Sequence, residues 1–114
     1  DLAAVDRMTD PFLEEFPEQE VVLERTAEIF GALAAVSRLR ILLSLVDGAQ
    51  TVTETVEATG LSQPLVSQHL KTLKSLRLVR VRRCGREAFY AVEDEHVLTI
   101  VHDALAHVRE DVTQ

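Results

Sequence analysis

A single cysteine, Cys84, stands in a chain of 114 residues. A lone thiol excludes an intramolecular disulfide and fits a reducing compartment. No apolar run approaches the ~18 residues of a membrane span. No basic-then-apolar segment opens the sequence, so the expected location is the cytoplasm, with no membrane partner. Internal repeats and low-complexity tracts are absent. The most informative gap is one of charge. The chain holds 19 acids and has a net charge of −7, yet no Asp or Glu falls between Ala58 and Arg86. Acidic chains as a class are poor partners for nucleic acid, but here the acids gather in the first 28 residues and near the end. The gap instead holds Lys71, Lys74, Arg77, Arg80, Arg82, Arg83 and Arg86, seven of the twelve basic residues. A basic patch on an acidic protein is an electrostatic footprint for phosphate.

The length fits one domain, and an apolar fraction of 46 % supports a core. Residues 1–19 carry Pro11, Pro17, many acids and no sustained period, which predicts an arm that is partly disordered when alone. Residues 20–112 form the expected domain. Val22, Leu23, Ile29, Phe30 and Leu33 fit a helix over Glu20 to Ala35, with an acidic start. Ser37 is the expected cap of a second helix, apolar on nearly all sides and therefore central, ended by Gly48. Thr51 to Thr59 is a short third segment. Gly60 follows, then Ser62 as N-cap and Pro64 in the first turn of a fourth helix reaching about Ser75. Its buried face is Leu65, Val66, Leu70, Leu73 and Leu76. The run reads as a helix-turn-helix. Alternation over Leu78 to Arg83 predicts a strand, Cys84-Gly85 a turn, and Glu87 to Val92 a returning strand. The fold expected is α+β, mainly helical, in the order α-α-α-α-β-β-α: a winged helix-turn-helix.

Such a motif puts its second helix in the major groove and reads bases with that helix's early residues. Here these are Gln63, Ser67 and Gln68, joined by His69 and Lys71. Gln pairs with N6 and N7 of adenine, and Ser is permissive. Thr72 and Lys74, again with Lys71, fit phosphate contacts. Arg82, Arg83 and Arg86 on the hairpin track phosphates or enter the neighbouring minor groove.

The final helix, about residues 94–112, has two stripes. Val97, Val101, Ala104, Leu105, Val108 and Val112 recur at spacings of three and four. His96, Ile100, Asp103, His107 and Glu110 form the other. Asp94 precedes His96 by two residues and doubles as a candidate N-cap. Asp94 and His96 at one end, with His107 and Glu110 at the other, are nitrogen and oxygen donors suited to zinc. Positions 96 and 107 lie about 16 Å apart along a helix, too far to share an ion whose bonds are about 2.0–2.2 Å. An antiparallel copy of the helix brings the two pairs together. Two-fold symmetry then repeats the site, giving two metals per homodimer, with the dyad near Val101 to Asp103. A catalytic zinc centre normally keeps three protein ligands and an open position. Four donors and no nucleophile motif point away from an enzyme.

Residues 60–92, GLSQPLVSQHLKTLKSLRLVRVRRCGREAFYAV, resemble the winged helix of the ArsR/SmtB bacterial metalloregulators, and the similarity runs from about Glu28 to Asp111. The resemblance implies a dimeric repressor that binds double-stranded operator DNA in the bacterial cytoplasm and leaves when metal binds. The family's zinc-sensing branch carries D-x-H, ten residues, then H-x-x-H/E on its final helix. Asp94, His96, His107 and Glu110 match that pattern. Other members sense metal through cysteines on an earlier helix. The segment here is AQTVTET, with Thr51 where the cysteine would be, so thiolate sensing is not expected. Cys84 reads as a turn residue. Asp103, one turn from His107, and a main-chain carbonyl near Arg77 are the expected supporting contacts of the ligands. Zinc is the expected metal. Nickel or cobalt is the alternative, with His102, Asp103 or the arm completing six ligands, and a repressor of the same fold without a metal switch is a further one.

Overall fold

The computed structural model describes residues 19–112. Five helices and one hairpin follow in order: α1 (Gln19–Leu33), α2 (Val36–Ser44), α3 (Val52–Thr59), α4 (Gln63–Ser75), β1 (Val79–Cys84), β2 (Glu87–Val92) and α5 (Glu95–Val112). Most of the expected arm lies outside the described residues, and Gln19 belongs to α1 rather than to the arm.

Local chemistry explains most element boundaries. Thr51 caps α3 with a reciprocal box: its hydroxyl accepts from the Glu54 N–H, and the Glu54 carboxylate accepts from the Thr51 N–H. Gly60 closes α3 at φ 75, where a side chain would be strained. Ser62 caps α4 by accepting from the Leu65 N–H, and Pro64 sits in the first turn. At the other end of α4, the Leu78 N–H donates to Leu73 O at 2.8 Å and the Arg77 N–H to Lys74 O at 3.0 Å. This crossed pair is a Schellman stop, whose left-handed residue is usually glycine. Here it is Arg77, at φ 59.

Three expected boundaries move. Ser37 does not cap α2. The N-cap is Ala35, which makes no side-chain cap bond, because the Ser37 hydroxyl is committed to His69. Gly48 does not end α2 either. The helix stops at Ser44, where the hydroxyl turns back to Ile41 O at 2.7 Å. Leu45 then donates to Leu42 O in a tighter turn. The hairpin turn is Gly85-Arg86 rather than Cys84-Gly85, since Cys84 still pairs with Glu87. Gly85 has φ 64 while Arg86 stays at negative φ, as in a two-residue turn with glycine first.

The core gathers Leu33 from α1, Ile41, Leu42 and Leu45 around α2, Val66, Leu70 and Leu73 from α4, Leu78 and Val79 at the start of β1, and Val97 and Val101 from α5. The central placement expected of α2 is correct, though Leu43 points outward. Thr55 of α3 is fully buried, its hydroxyl donating to Thr51 O at 2.9 Å. The hairpin is not a free arm. Gln50 and Tyr90 exchange two backbone hydrogen bonds, of 2.9 and 2.8 Å. The Gln50 side-chain amide also lies 3.2 Å from Ser44 Oγ and 3.1 Å from Thr55 Oγ1. One residue thus joins the hairpin to α2 and α3.

Candidate nucleic-acid interface and metal-binding helix

On α4, Val66, Leu70 and Leu73 take one face and are buried. At 100° per residue, Gln68 and Lys71 fall opposite that face, with Ser67 on the flank. Gln63, Ser67, Gln68, Lys71 and Lys74 are exposed. Thr72 is half-buried, and its carbonyl accepts from the Ser75 hydroxyl at 2.7 Å. His69 departs from the expected set. Its ring faces α2, with Nε2 at 2.8 Å from Ser37 Oγ. Burial, and secondarily the Arg38 guanidinium, hold its imidazole below the ordinary value of 6.5. The neutral imidazole is therefore favoured, and its ring is engaged with α2 rather than presented outward. No signal within α4 announces this, because the partner lies 32 residues away.

The hairpin register pairs Arg82 with Phe89, Arg83 with Ala88 and Cys84 with Glu87. Successive side chains alternate faces, so Arg82 and Arg83 lie on opposite faces of the ribbon, both exposed, with Arg86 exposed in the turn. The basic side chains of α4 and of the hairpin follow one another without an intervening acid. That arrangement suits a helix in a groove flanked by a ribbon on the phosphates.

At the start of α5, Asp94 Oδ1 accepts from the Val97 N–H at 3.2 Å, so Asp94 is the N-cap. The same oxygen lies 3.5 Å from His96 Nδ1, and the two side chains are 49 % and 93 % exposed. Capping occupies Oδ1, which leaves Asp94 Oδ2 and the His96 ring together at the exposed start of the helix as a candidate donor pair for zinc. His107 and Glu110 are exposed at the far end of the helix. Among the described residues of one chain, no three His, Cys, Asp or Glu side chains are grouped to hold a metal. Asp103 is exposed one turn before His107.

Two features of this region escape the sequence reading. Asp94 and His96 open onto a cleft that α1 and the end of α4 also line, through Arg25, Glu28, Ser75 and Arg77. Nothing in the spacing along α5 points to Arg25 or Glu28. The apolar stripe of α5 is also only half used: Val97 and Val101 are buried, whereas Val108 is 55 % and Val112 74 % exposed. On α1, Val22, Leu23 and Phe30 are likewise exposed. Exposed apolar faces of this kind mark interaction surfaces.

Residues 36–81 match the family described as bacterial regulatory protein, arsR family. The chain is 44 % identical over 95 residues to the HTH-type transcriptional repressor SmtB of Mycobacterium tuberculosis, a match spanning 83 % of this chain and 70 % of that protein. It is 44 % identical over 89 residues to the HTH-type transcriptional regulator KmtR of the same organism, spanning 78 % and 67 %. Among solved structures it resembles the homodimeric winged helix-turn-helix DNA-binding domain of Mb0332 from Mycobacterium bovis, with a TM-score of 0.71 at 33 % identity, covering 84 % of this chain and 87 % of that one. Among the described residues, no helix is long and apolar enough to cross a membrane. At this identity and coverage, and with this fold, the chain belongs to the arsR family of bacterial regulatory proteins.

Proposed function

We propose that the protein is a metal-responsive transcriptional repressor, not an enzyme, that binds operator DNA as a homodimer in the bacterial cytoplasm and is released by zinc. One observation carries the metal reading. Asp94 and His96 approach to 3.5 Å at one end of an exposed helix, and a second acid–histidine pair sits at the other end, beyond the reach of the first within one chain. The unused apolar side chains of α1 and of the second half of α5 supply the surface for a second copy. Asp94 and His96 of one copy, with His107 and Glu110 of the other, would hold the ion at each of two sites. When bound, the ion cross-links the two final helices and so fixes the angle between the two winged helices.

Gln63, Ser67, Gln68 and Lys71 read the major groove. Thr72, Lys74, Arg82, Arg83 and Arg86 hold phosphates. Each copy meets one half-site, with half-site centres about 34–36 Å apart, so a change in the angle between copies removes one helix from its groove. Linkage is reciprocal: metal and operator each weaken the other's binding by the same factor, about 5–150-fold for a coupling of ~1–3 kcal/mol. His107 is the transmitter: with one ring nitrogen on the ion, the other would donate to a main-chain carbonyl near Arg77 of the other copy, which lines the cleft beside Asp94 and His96. His107→Gln therefore keeps operator binding and loses the metal response.

Four nitrogen and oxygen donors closing a tetrahedron favour zinc. Nickel or cobalt is the second reading, favoured if Asp103 or His102 adds to a six-ligand set. The test uses a duplex selected by the protein from a random-sequence pool. Anisotropy titrations in zinc and in EDTA, at one salt concentration, should differ at least fivefold. Equal affinities would remove the metal switch and leave a winged-helix repressor that does not sense metal.

A further inference from the structure

We infer that Ser37 and His69 form a tether that sets the roll of the reading helix, so that both are positioning residues for operator recognition although neither touches DNA. The inference rests on the DNA-binding reading above. Its basis is geometric. The residues expected to meet base edges, Ser67 and Gln68, immediately precede His69 on α4. The helix is held from below by Val66, Leu70 and Leu73, and apolar packing of this kind carries no direction. A roll of about 10° shifts a side-chain tip ~5–6 Å from the axis by about 1 Å. That is enough to break a base-edge hydrogen bond, whose useful range is about 2.7–3.2 Å.

The caps hold the two ends of α4, and a directional side-chain contact fixes the roll of the stretch between them: the 2.8 Å pair between Ser37 Oγ and His69 Nε2 is one. Among the described residues it is the side-chain hydrogen bond that joins α4 to another helix. Its anchor is firm. Ser37 lies in the first turn of α2, and the neighbouring Arg38 Nε donates to the Ala32 carbonyl at the end of α1. The neutral state of His69 serves the pair in either tautomer, with the ring nitrogen accepting from the hydroxyl or donating to it. Both side chains are half-buried, so the bond is partly shielded from exchange with water.

The test is a double-mutant cycle on Ser37→Ala and His69→Leu, with Ser37→Thr and His69→Gln as conservative variants. Gln carries an amide nitrogen near the position of the histidine Nε2. Each protein is titrated, in EDTA and at one salt concentration, against the selected duplex and against an unrelated duplex of equal length. Thermal melts confirm that each variant is folded. Either disruptive variant should weaken binding to the selected duplex about five- to tenfold, the effect of one lost hydrogen bond, and leave the unrelated duplex unchanged. The double variant should be no weaker than the singles, and Ser37→Thr and His69→Gln should restore most of the affinity. Multiplying losses in the double variant would overturn the tether, because independent DNA contacts behave that way. So would equal weakening on both duplexes, or wild-type affinity in Ser37→Ala. If the wild-type protein selects no duplex at all, the DNA-binding reading fails and takes the tether with it.

Discussion

Asp94 caps α5 and is proposed to bind metal, two roles that one atom change can separate. Its Oδ1 caps α5 through the Val97 N–H, while its second oxygen is assigned to metal. In Asp94→Asn the side-chain carbonyl still caps the helix, since Asn is as good an N-cap as Asp. What is lost is the negative charge at the helix start, ~0.3–1 kcal/mol. The exposed pairing with His96 adds little. In Asp94→Ala the cap itself goes, at ~1 kcal/mol, with ~2 as the upper bound. The upper part of that range applies if the first turn frays, because Val97 sits there and is buried. For a domain of this size each kcal/mol is worth about 4–8 °C in the thermal midpoint. In EDTA, at fixed protein concentration, the order of midpoints should be wild type, then Asn, then Ala, with Ala lower by roughly 4–16 °C. Zinc at a hundred times its dissociation constant should add ~2.7 kcal/mol per site to the wild type and little to either variant. Equal midpoints for Asn and Ala in EDTA would refute the capping role. Full zinc stabilisation of Asp94→Asn would refute the carboxylate as a ligand.

Arg77→Gly should stabilise the fold by about 0.5–1 kcal/mol, because the Schellman stop requires left-handed backbone there and Arg77 is exposed; an unchanged or lower urea midpoint would contradict this. Arg83→Ala and Arg86→Ala should each reduce the slope of log affinity against log salt by about 1 without changing sequence preference, read by anisotropy across a salt series. His69 makes stability depend on pH. Its folded value lies below 6.5, so the unfolded chain takes up that proton more readily. The stability this residue contributes is complete above about pH 6.5 and is lost as pH falls below it. Between about pH 7.5 and 5.5 the wild-type midpoint should therefore drop further than that of His69→Gln, and parallel curves would exclude the effect.

The parts of the fold legible in the sequence are those decided within a few residues. Gly60, Ser62 and Pro64 mark the turn and the start of α4, and the Val79–Val81 alternation marks β1, because caps, turns and pleats are local physics. The boundaries that moved were decided at a distance. Ser37 has the composition of a cap but spends its hydroxyl on a histidine 32 residues on, and Gln50 pairs with Tyr90 forty residues later. The same division holds at the candidate site. Spacing along one helix proposes Asp94, His96, His107 and Glu110 as ligands, and the residue types argue the chemistry they would supply. Spacing does not show that Arg25 and Glu28 line the cleft beside them. Nor does it show that half of the apolar stripe of α5 goes unused within the chain. Arg77 is a different case: its left-handed backbone follows from the helix stop, but a sequence reader looks for glycine there.

The backbone exchange between Gln50 and Tyr90 bears on anyone building chimeras of this regulator. A hairpin transplanted from a relative brings its own Tyr90 position but leaves behind the strip from Ala49 to Thr55 on which it was fitted. Swaps cut at the ends of the hairpin should misalign, whereas swaps that carry residues 49–92 as one cassette keep the seam intact.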